Sequence, residues 1–198
     1  MIVMKKTTTS RTASTRKEIT HQRIVETAAR AIRRSGYDGT GVADIMKEAG
    51  LTHGGFYAHF SSRDAMLAEA ADLAGADTLA IAERIFAEAP QEQALFALMN
   101  AYLSNEHTAN IESGCALAAL GSEMPRQAPE VRRASTRRIK EMVALVEGQM
   151  ANQSNAHEKA LLAIATMVGT LLLARAVDEP ELSQDFRQAA LKHYQATK

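Results

Sequence analysis

Tryptophan is absent from this 198-residue chain, cysteine occurs once and proline four times. A single cysteine, Cys115, excludes a disulfide within the chain and fits a reducing compartment. Aromatic residues make up only 5% of the sequence, and Val, Ile, Tyr and Phe never alternate in a run, so the pattern of a sheet is missing. No apolar segment follows the lysines of MIVMKKTTTS, and no secretory leader is expected. The longest uncharged stretch, Ala160–Ala174, is too short to cross a bilayer and contains Thr and Gly. It reads as a buried helix. The expected location is the cytoplasm, with no membrane partner.

The constellations of an enzyme are missing too. His53 and His59 are not four apart, and His21, His107, His157 and His193 are scattered, so no metal site is expected. No glycine-rich phosphate loop follows a strand, and no cofactor is expected. Cys115 with His107 is the one conceivable nucleophile couple, and it lacks an orienting partner.

What is present is helix-forming. Hydrophobic residues account for 46% and charged residues for 23%, an ordinary soluble composition rich in alanine. The formal net charge is zero but unevenly spread. Up to Asp64 there are 11 Lys and Arg against 6 Asp and Glu; beyond it there are 12 against 17. That asymmetry suggests that the N-terminal end meets a polyanion.

Residues 1–15 read as a flexible basic arm. From Arg16, Ile24, Val25, Ala28, Ala29 and Ile32 share one helical face, with Arg23, Arg30, Arg33 and Arg34 away from it. Gly36 stands where that helix should stop. Val42, Ile45, Met46 and Ala49 make a short apolar stripe, started by Thr40 or Gly41 and ended by Gly50. Thr52 is placed to cap a further short helix, His53–Phe60, and Ser62 to cap a long one from Arg63 to about Ala87. Further helices are expected over 91–106, Gly114–Met124, 127–150, 156–177 and 182–195. Asn105–Ser113 reads as a polar gap, and the 127–150 helix should expose Arg132, Arg133, Arg137, Arg138 and Lys140.

The stretch LTHGGFYAHF, residues 51–60, sets two glycines before a cluster of aromatics. Each glycine weakens a helix by about 1 kcal/mol relative to alanine. With the preceding helix it makes a helix-turn-helix unit: 42–49 supports and 53–60 reads. Phe56 and Phe60 anchor the inner face, leaving Thr52, His53, Gly54, Gly55, Tyr57 and His59 outside. Small residues at the start of such a helix let its backbone approach base edges or phosphates, and Tyr57, His59 and Arg63 can donate to phosphate. The alternative is that Gly54-Gly55 is a loop and the aromatics are core.

GVADIMKEAGLTHGGFYAHFSSRDAML resembles the DNA-binding motif of the TetR family of bacterial transcriptional regulators. The shared features are the DI-x-x-x-AG of the supporting helix, then Phe56-Tyr57-x-His59-Phe60, then a basic residue after two small polar ones. RIVETAARAIRRSGYDGT resembles the family's first helix and its Gly-Tyr corner. The resemblance covers roughly residues 16–70. It implies an all-α chain of about nine helices: a three-helix DNA-binding domain at 16–66, with its motif at 41–60, and an effector-binding and dimerisation domain at 67–198. It further implies phosphate contacts by Tyr57, His59 and Arg63, and base contacts at or near Thr52, His53, Gly54 and Gly55. Thr40, Gly41 and Val42, opening the supporting helix, complete the expected contact set. Gly41 stands where the family often has Ser or Thr, Ile32 where Phe is common, and Arg63 where Lys is more frequent.

For the C-terminal half, an effector pocket is expected among Phe86, Phe96, Met99, Tyr102, Leu103, Cys115, Leu120, Met124, Met142, Val143 and Met167, or else these residues are plain core. The effector would be small and apolar or amphipathic. GC-x-L-x-x-L-x-x-E (Gly114 to Glu123) resembles a subgroup of the family, some of whose members sense electrophiles or oxidants through cysteine. Leu161, Leu162, Ile164, Ala165, Val168, Gly169, Leu172 and Ala176 form a wide apolar face. Against Leu182, Phe186, Ala190 and Tyr194 of a partner it would close a two-fold four-helix bundle; the alternative is a monomer with that face inside its own core. The expected protein is a repressor that binds a palindromic DNA operator as a homodimer and is released by an effector. The alternatives are a helix-turn-helix protein without effector, an activator, and a cysteine-sensing repressor.

Overall fold

The computed structural model describes residues 15–150 and 153–196. The expected basic arm lies outside these residues apart from Thr15. Among the described residues nine α-helices follow in order: α1 (Arg16–Ser35), α2 (Val42–Glu48), α3 (Arg63–Glu88), α4 (Ala94–Tyr102), α5 (Asn105–Ala109), α6 (Ala116–Leu120), α7 (Pro129–Gly148), α8 (Ala156–Ala176) and α9 (Pro180–Ala196). Single 3₁₀ turns occupy Gln91–Gln93 and Met124–Arg126, and a longer 3₁₀ segment occupies His53–Ala58. No strand occurs among the described residues.

Local chemistry sets the helix ends. Thr15 and Glu18 form a reciprocal capping box: Glu18 N–H donates to Thr15 Oγ1 at 3.2 Å, and Thr15 N–H to the Glu18 carboxylate at 2.7 Å. Gly36 closes α1 at φ 74°, a conformation that costs glycine little. The Ser62 hydroxyl accepts the Ala65 N–H at 3.0 Å and opens α3.

Three expected elements of the C-terminal half change. The helix expected over 91–106 splits into a 3₁₀ turn and α4, and α5 starts a new direction inside the expected polar gap. Ser104 makes that restart possible, because its hydroxyl accepts the His107 N–H at 3.1 Å. The helix expected over Gly114–Met124 narrows to α6, because Cys115 is still extended (ψ 122°).

Two cores result. Ile24, Ile32, Tyr37, Ile45, Met46, Phe56, Phe60 and Met66 build the N-terminal one, and Phe86, Leu98, Met99, Leu103, Val146, Met167 and Leu171 belong to the C-terminal one. α3 joins them: Met66 to Ala74 lie in the first and Ala82 and Phe86 in the second. At about 1.5 Å per residue, its 26 residues span roughly 39 Å. α7 runs along α3, and α8 packs on α7 and α9.

Arg33 departs from the expected solvent face. It is buried at 4% exposure, and its guanidinium donates to the carbonyls of Ala74 and Glu112 at 3.0 Å and to the Asp77 carboxylate at 2.9 Å. The helical wheel is right about the backbone, but α1 ends in the angle between α3 and the chain before α6. A cation there is held by carbonyls instead of water.

Candidate nucleic-acid interface and C-terminal cavity

The segment expected to be an α-helix over 53–60 is a 3₁₀ helix that ends at Ala58. Thr52 makes no side-chain cap to it. With Gly54 and Gly55 in its first turn, the segment has little intrinsic preference for the α form. Packing from behind holds it. Phe56 and Phe60 are 1% and 3% exposed, with ring centroids 5.5 Å apart. His21 of α1 stacks on Phe60 at 4.5 Å, and its Nε2 meets the Glu69 carboxylate of α3 at 2.6 Å.

The front of the segment is bare. Thr52, His53 and Gly54 are exposed, and Tyr57 stands out at 73% exposure, edge-on to Phe56. A Cβ added at Gly54 would touch nothing within 4 Å, so the fold does not require that glycine. Gly41, Val42, Gly55, His59 and Arg63 are half-buried around it. Burial lowers the His59 pKa, helped by the charges of His21 and Lys17, so its ring is neutral at pH 7.

Two of the expected contact residues also have internal partners. Thr40 is buried at 4% exposure, and its hydroxyl donates to Gly36 O at 2.6 Å, so its side chain points inward. Arg63 donates to the carbonyls of Tyr37 and Thr40. Its guanidinium therefore ties the Gly-Tyr corner to the start of α3.

In the C-terminal half, a cavity of about 260 Å³ lies between α3, α4, α7, α8 and the chain from Ser104 to Leu117. Of the residues expected to line it, Tyr102, Cys115, Met142 and Met167 do so. Phe86, Met99, Leu103 and Val143 are core neighbours set back from the wall, and Phe96 is half-buried off it. Leu120 and Met124 belong elsewhere. α6 packs on α1 and α3, which turns its far end into the N-terminal core.

Sequence reasoning missed the polar part of the wall: Thr78, Ser104, Glu106, His107, Asn110, Ser113, Ser135 and Arg138. Arg138, expected on the open face of α7, crosses to Asp72 with bonds of 2.8 and 2.6 Å and to Glu141 at 2.8 Å. Burial pushes the Asp72 carboxyl up, but the bonds from Arg138 and Arg137 outweigh it and hold its pKa below the usual value. His107 does not approach Cys115 as a base for the thiol. Its Nε2 accepts the Cys115 backbone N–H at 3.1 Å, so Nδ1 carries the proton and donates to Tyr102 O at 2.6 Å. The spacing of these residues in sequence carries no sign of that arrangement.

On the outer side of α8 and α9, Leu161, Leu162, Leu172, Leu173 and Leu182 are exposed, Leu162 at 65%. Ala165 and Ala176 are exposed beside them, and Gly169 and Phe186 are half-buried. Ile164 and Ala190, expected on this face, are buried within their own chain, and Val168 belongs to the cavity wall. α8 is the one helix among the described residues long and apolar enough to cross a membrane, and its inner face is core.

Comparison with known proteins agrees with this geometry. The family described as "Bacterial regulatory proteins, tetR family" matches residues 24–70, and "Tetracyclin repressor-like, C-terminal domain" matches residues 92–190. An uncharacterised HTH-type transcriptional regulator of Mycobacterium tuberculosis, Rv0196, is 32% identical over 166 residues, covering 78% of this chain and 83% of its own. The reduced form of E. coli NemR superposes with a TM-score of 0.78 at 19% identity, over 88% of this chain and 94% of its own. A TetR transcriptional regulator from Chloroflexus aurantiacus superposes at 0.77 and 24% identity, over 89% and 94%. The chain belongs to the TetR family of helix-turn-helix transcriptional regulators, which are not enzymes.

Proposed function

We propose that this regulator is a cytoplasmic repressor: a homodimer that binds a palindromic operator and lets go when a small apolar or amphipathic effector enters the C-terminal cavity. Domain roles follow the same reading, with DNA contact at 16–66 and effector binding and dimerisation at 67–198. Thr52, His53, Gly54, Gly55, Tyr57 and His59 would face the duplex, and Gly41, Val42 and Arg63 would lie near its backbone. Thr40 would act through the corner it braces.

One observation carries the effector part. Asn110, Ser113, Gly114 and Cys115 line the cavity, and Glu112 lies among them in sequence. The Glu112 carbonyl accepts Arg33, and its carboxylate accepts Arg34 at 3.2 Å. Arg34 also reaches Glu48 of α2 at 2.9 Å. A ligand that favours one position of this segment therefore biases α1 and α2, which is what a two-state regulator requires. The exposed leucines of α8 and α9 support the homodimer, since such a patch marks an interaction surface.

Cysteine sensing has less support, because Cys115 is 4% exposed. Selection of bound duplexes from a random pool tests the main reading. The expected result is an inverted repeat with half-site centres about 34 Å apart, or a small multiple of that. A single unrepeated site would remove the dimeric operator from the proposal.

A further inference from the structure

The cavity is not uniformly apolar, and its polar end has one consistent character. Tyr102 is 8% exposed and lines the cavity, and among the described residues its hydroxyl has no well-formed hydrogen bond, the Cys115 thiol beside it being at most a weak acceptor. Burial, then the neighbouring Cys115, push the phenol pKa well above its ordinary value, so the group remains a neutral O–H donor. His107 cannot serve as its acceptor, because both ring nitrogens are already bonded to backbone.

Behind Tyr102 stands Arg175. Its Nε and Nη2 donate to the carbonyls of Thr108, His107 and Asn110 at 3.0, 2.6 and 3.2 Å. Its Nη1 is buried without a partner, and among the described residues it forms no ion pair with a carboxylate. Its positive charge acts on Tyr102 and Cys115. Arg138, the cation that lines the wall itself, is neutralised by Asp72 and Glu141. The Tyr102 end is therefore rich in donors, and the carboxylate that lines the cavity, Glu106, belongs to an exposed residue. A buried donor left unsatisfied costs about 1–3 kcal/mol, which an acceptor on a ligand recovers.

We infer that the cavity binds a compact apolar molecule ending in an oxygen acceptor, a carbonyl or a carboxylate, which receives the Tyr102 hydroxyl and sits in the field of Arg175. At about 30 Å³ for each water-sized group, 260 Å³ admits roughly nine such groups. That is below the 300–1,000 Å³ or so typical of drug-sized sites, which favours a single ring with a short chain. A primary amine is disfavoured beside Tyr102, because it would face the charge of Arg175.

The inference rests on the effector reading, but its test needs no DNA. Calorimetric titration of the full chain uses four matched probes: butylbenzene, butyrophenone, 4-phenylbutyrate and 4-phenylbutylamine. The ketone, the carboxylate or both should bind about tenfold more tightly than butylbenzene, with the amine weakest. An advantage for one of the first two alone tells which acceptor the site takes. Tyr102→Phe should cut that advantage to within about twofold and leave butylbenzene unchanged. Equal binding of butylbenzene, preference for the amine, or no binding of any probe at millimolar concentration would overturn the assignment. So would an acceptor advantage that survives Tyr102→Phe. If the variant does not fold, the ranking on the unmodified protein decides. Probes that rank as expected but leave selected DNA bound defeat the effector reading and spare the ligand class. DNA released by molecules that show no acceptor preference does the reverse.

Discussion

The carboxylate of Glu123, just past α6, accepts the backbone N–H of Tyr37 at 2.8 Å across 86 residues of sequence. It sits against Gly36, where an added Cβ would come within 2.4 Å of Glu123 Oε1. Gly36 is also at φ 74°. The corner that ends α1 is thus closed by a residue of the C-terminal half, and burial with the Glu123 charge pushes the Tyr37 phenol to about 12. Gly36→Ala combines a strained backbone with a displaced carboxylate and should cost about 1–3 kcal/mol. Glu123→Ala, which leaves the Tyr37 N–H unpartnered, should cost about 1–2 kcal/mol. Urea denaturation measures both; two values near zero would mean that the contact does not hold the corner.

Gly54 gives the opposite expectation. Alanine there meets nothing and should leave stability equal or raise it by a few tenths to about 1 kcal/mol. DNA affinity should fall, since the methyl group stands on the bare front of the segment. Fluorescence anisotropy on selected duplexes reads the second effect. Undiminished affinity would show that close backbone approach is not why this position is glycine.

Tyr57→Phe and His59→Ala should weaken binding to all duplexes alike, as phosphate contacts do. A changed sequence preference at unchanged overall affinity would contradict that role. Arg63→Ala should lower the salt slope by about 1 and also the melting temperature, because the guanidinium holds the Tyr37 and Thr40 carbonyls. Arg63→Lys separates the two: the slope stays and the melting temperature falls.

His107 makes stability depend on pH. Burial comes first in lowering its folded pKa below 6.5, against the opposing bond to the Tyr102 carbonyl. Protonation would also destroy the Nε2 acceptor used by the Cys115 N–H. Below pH 6.5 the unfolded chain binds more protons than the folded one, so stability is full above that pH and declines beneath it. His107→Gln should flatten the fall in melting temperature between pH 7 and 5. An identical fall in the variant would assign the effect to other groups.

Leu162 is the most exposed leucine of the α8–α9 face. Leu162→Glu should shift sedimentation from dimer to monomer with an unchanged circular dichroism spectrum, and weaken operator binding by tenfold or more. A monomeric parent protein would refute the interface outright.

Helical class, the two-phenylalanine anchor, the Gly36 stop and the Ser62 cap were all legible in the chain, because each depends on residues within about four positions of one another. Periodicity also located α8 and α9. It could not tell which apolar face of α8 turns inward, because that helix is apolar on nearly every side. Hence Ile164 and Val168 share an apolar face with Leu161 and Leu162 by periodicity, although the fold sends them to core and cavity wall. Periodicity places Arg33 and Arg138 in solvent for a related reason. A helical wheel shows where a side chain leaves the backbone, not which carbonyls or carboxylates wait across the gap.

By itself, then, the sequence determined what short-range chemistry can decide: the helices, their caps, the aromatic prop behind Tyr57 and the family to which the motif belongs. Only tertiary structure decided the cavity, the donor-rich end made by Tyr102 and Arg175, and the Glu112 and Glu123 links between halves. The two glutamate links join residues 78 to 86 positions apart. Their geometry follows from how α3, α6, α7 and α8 pack, and the spacing of residues along a chain does not encode that packing.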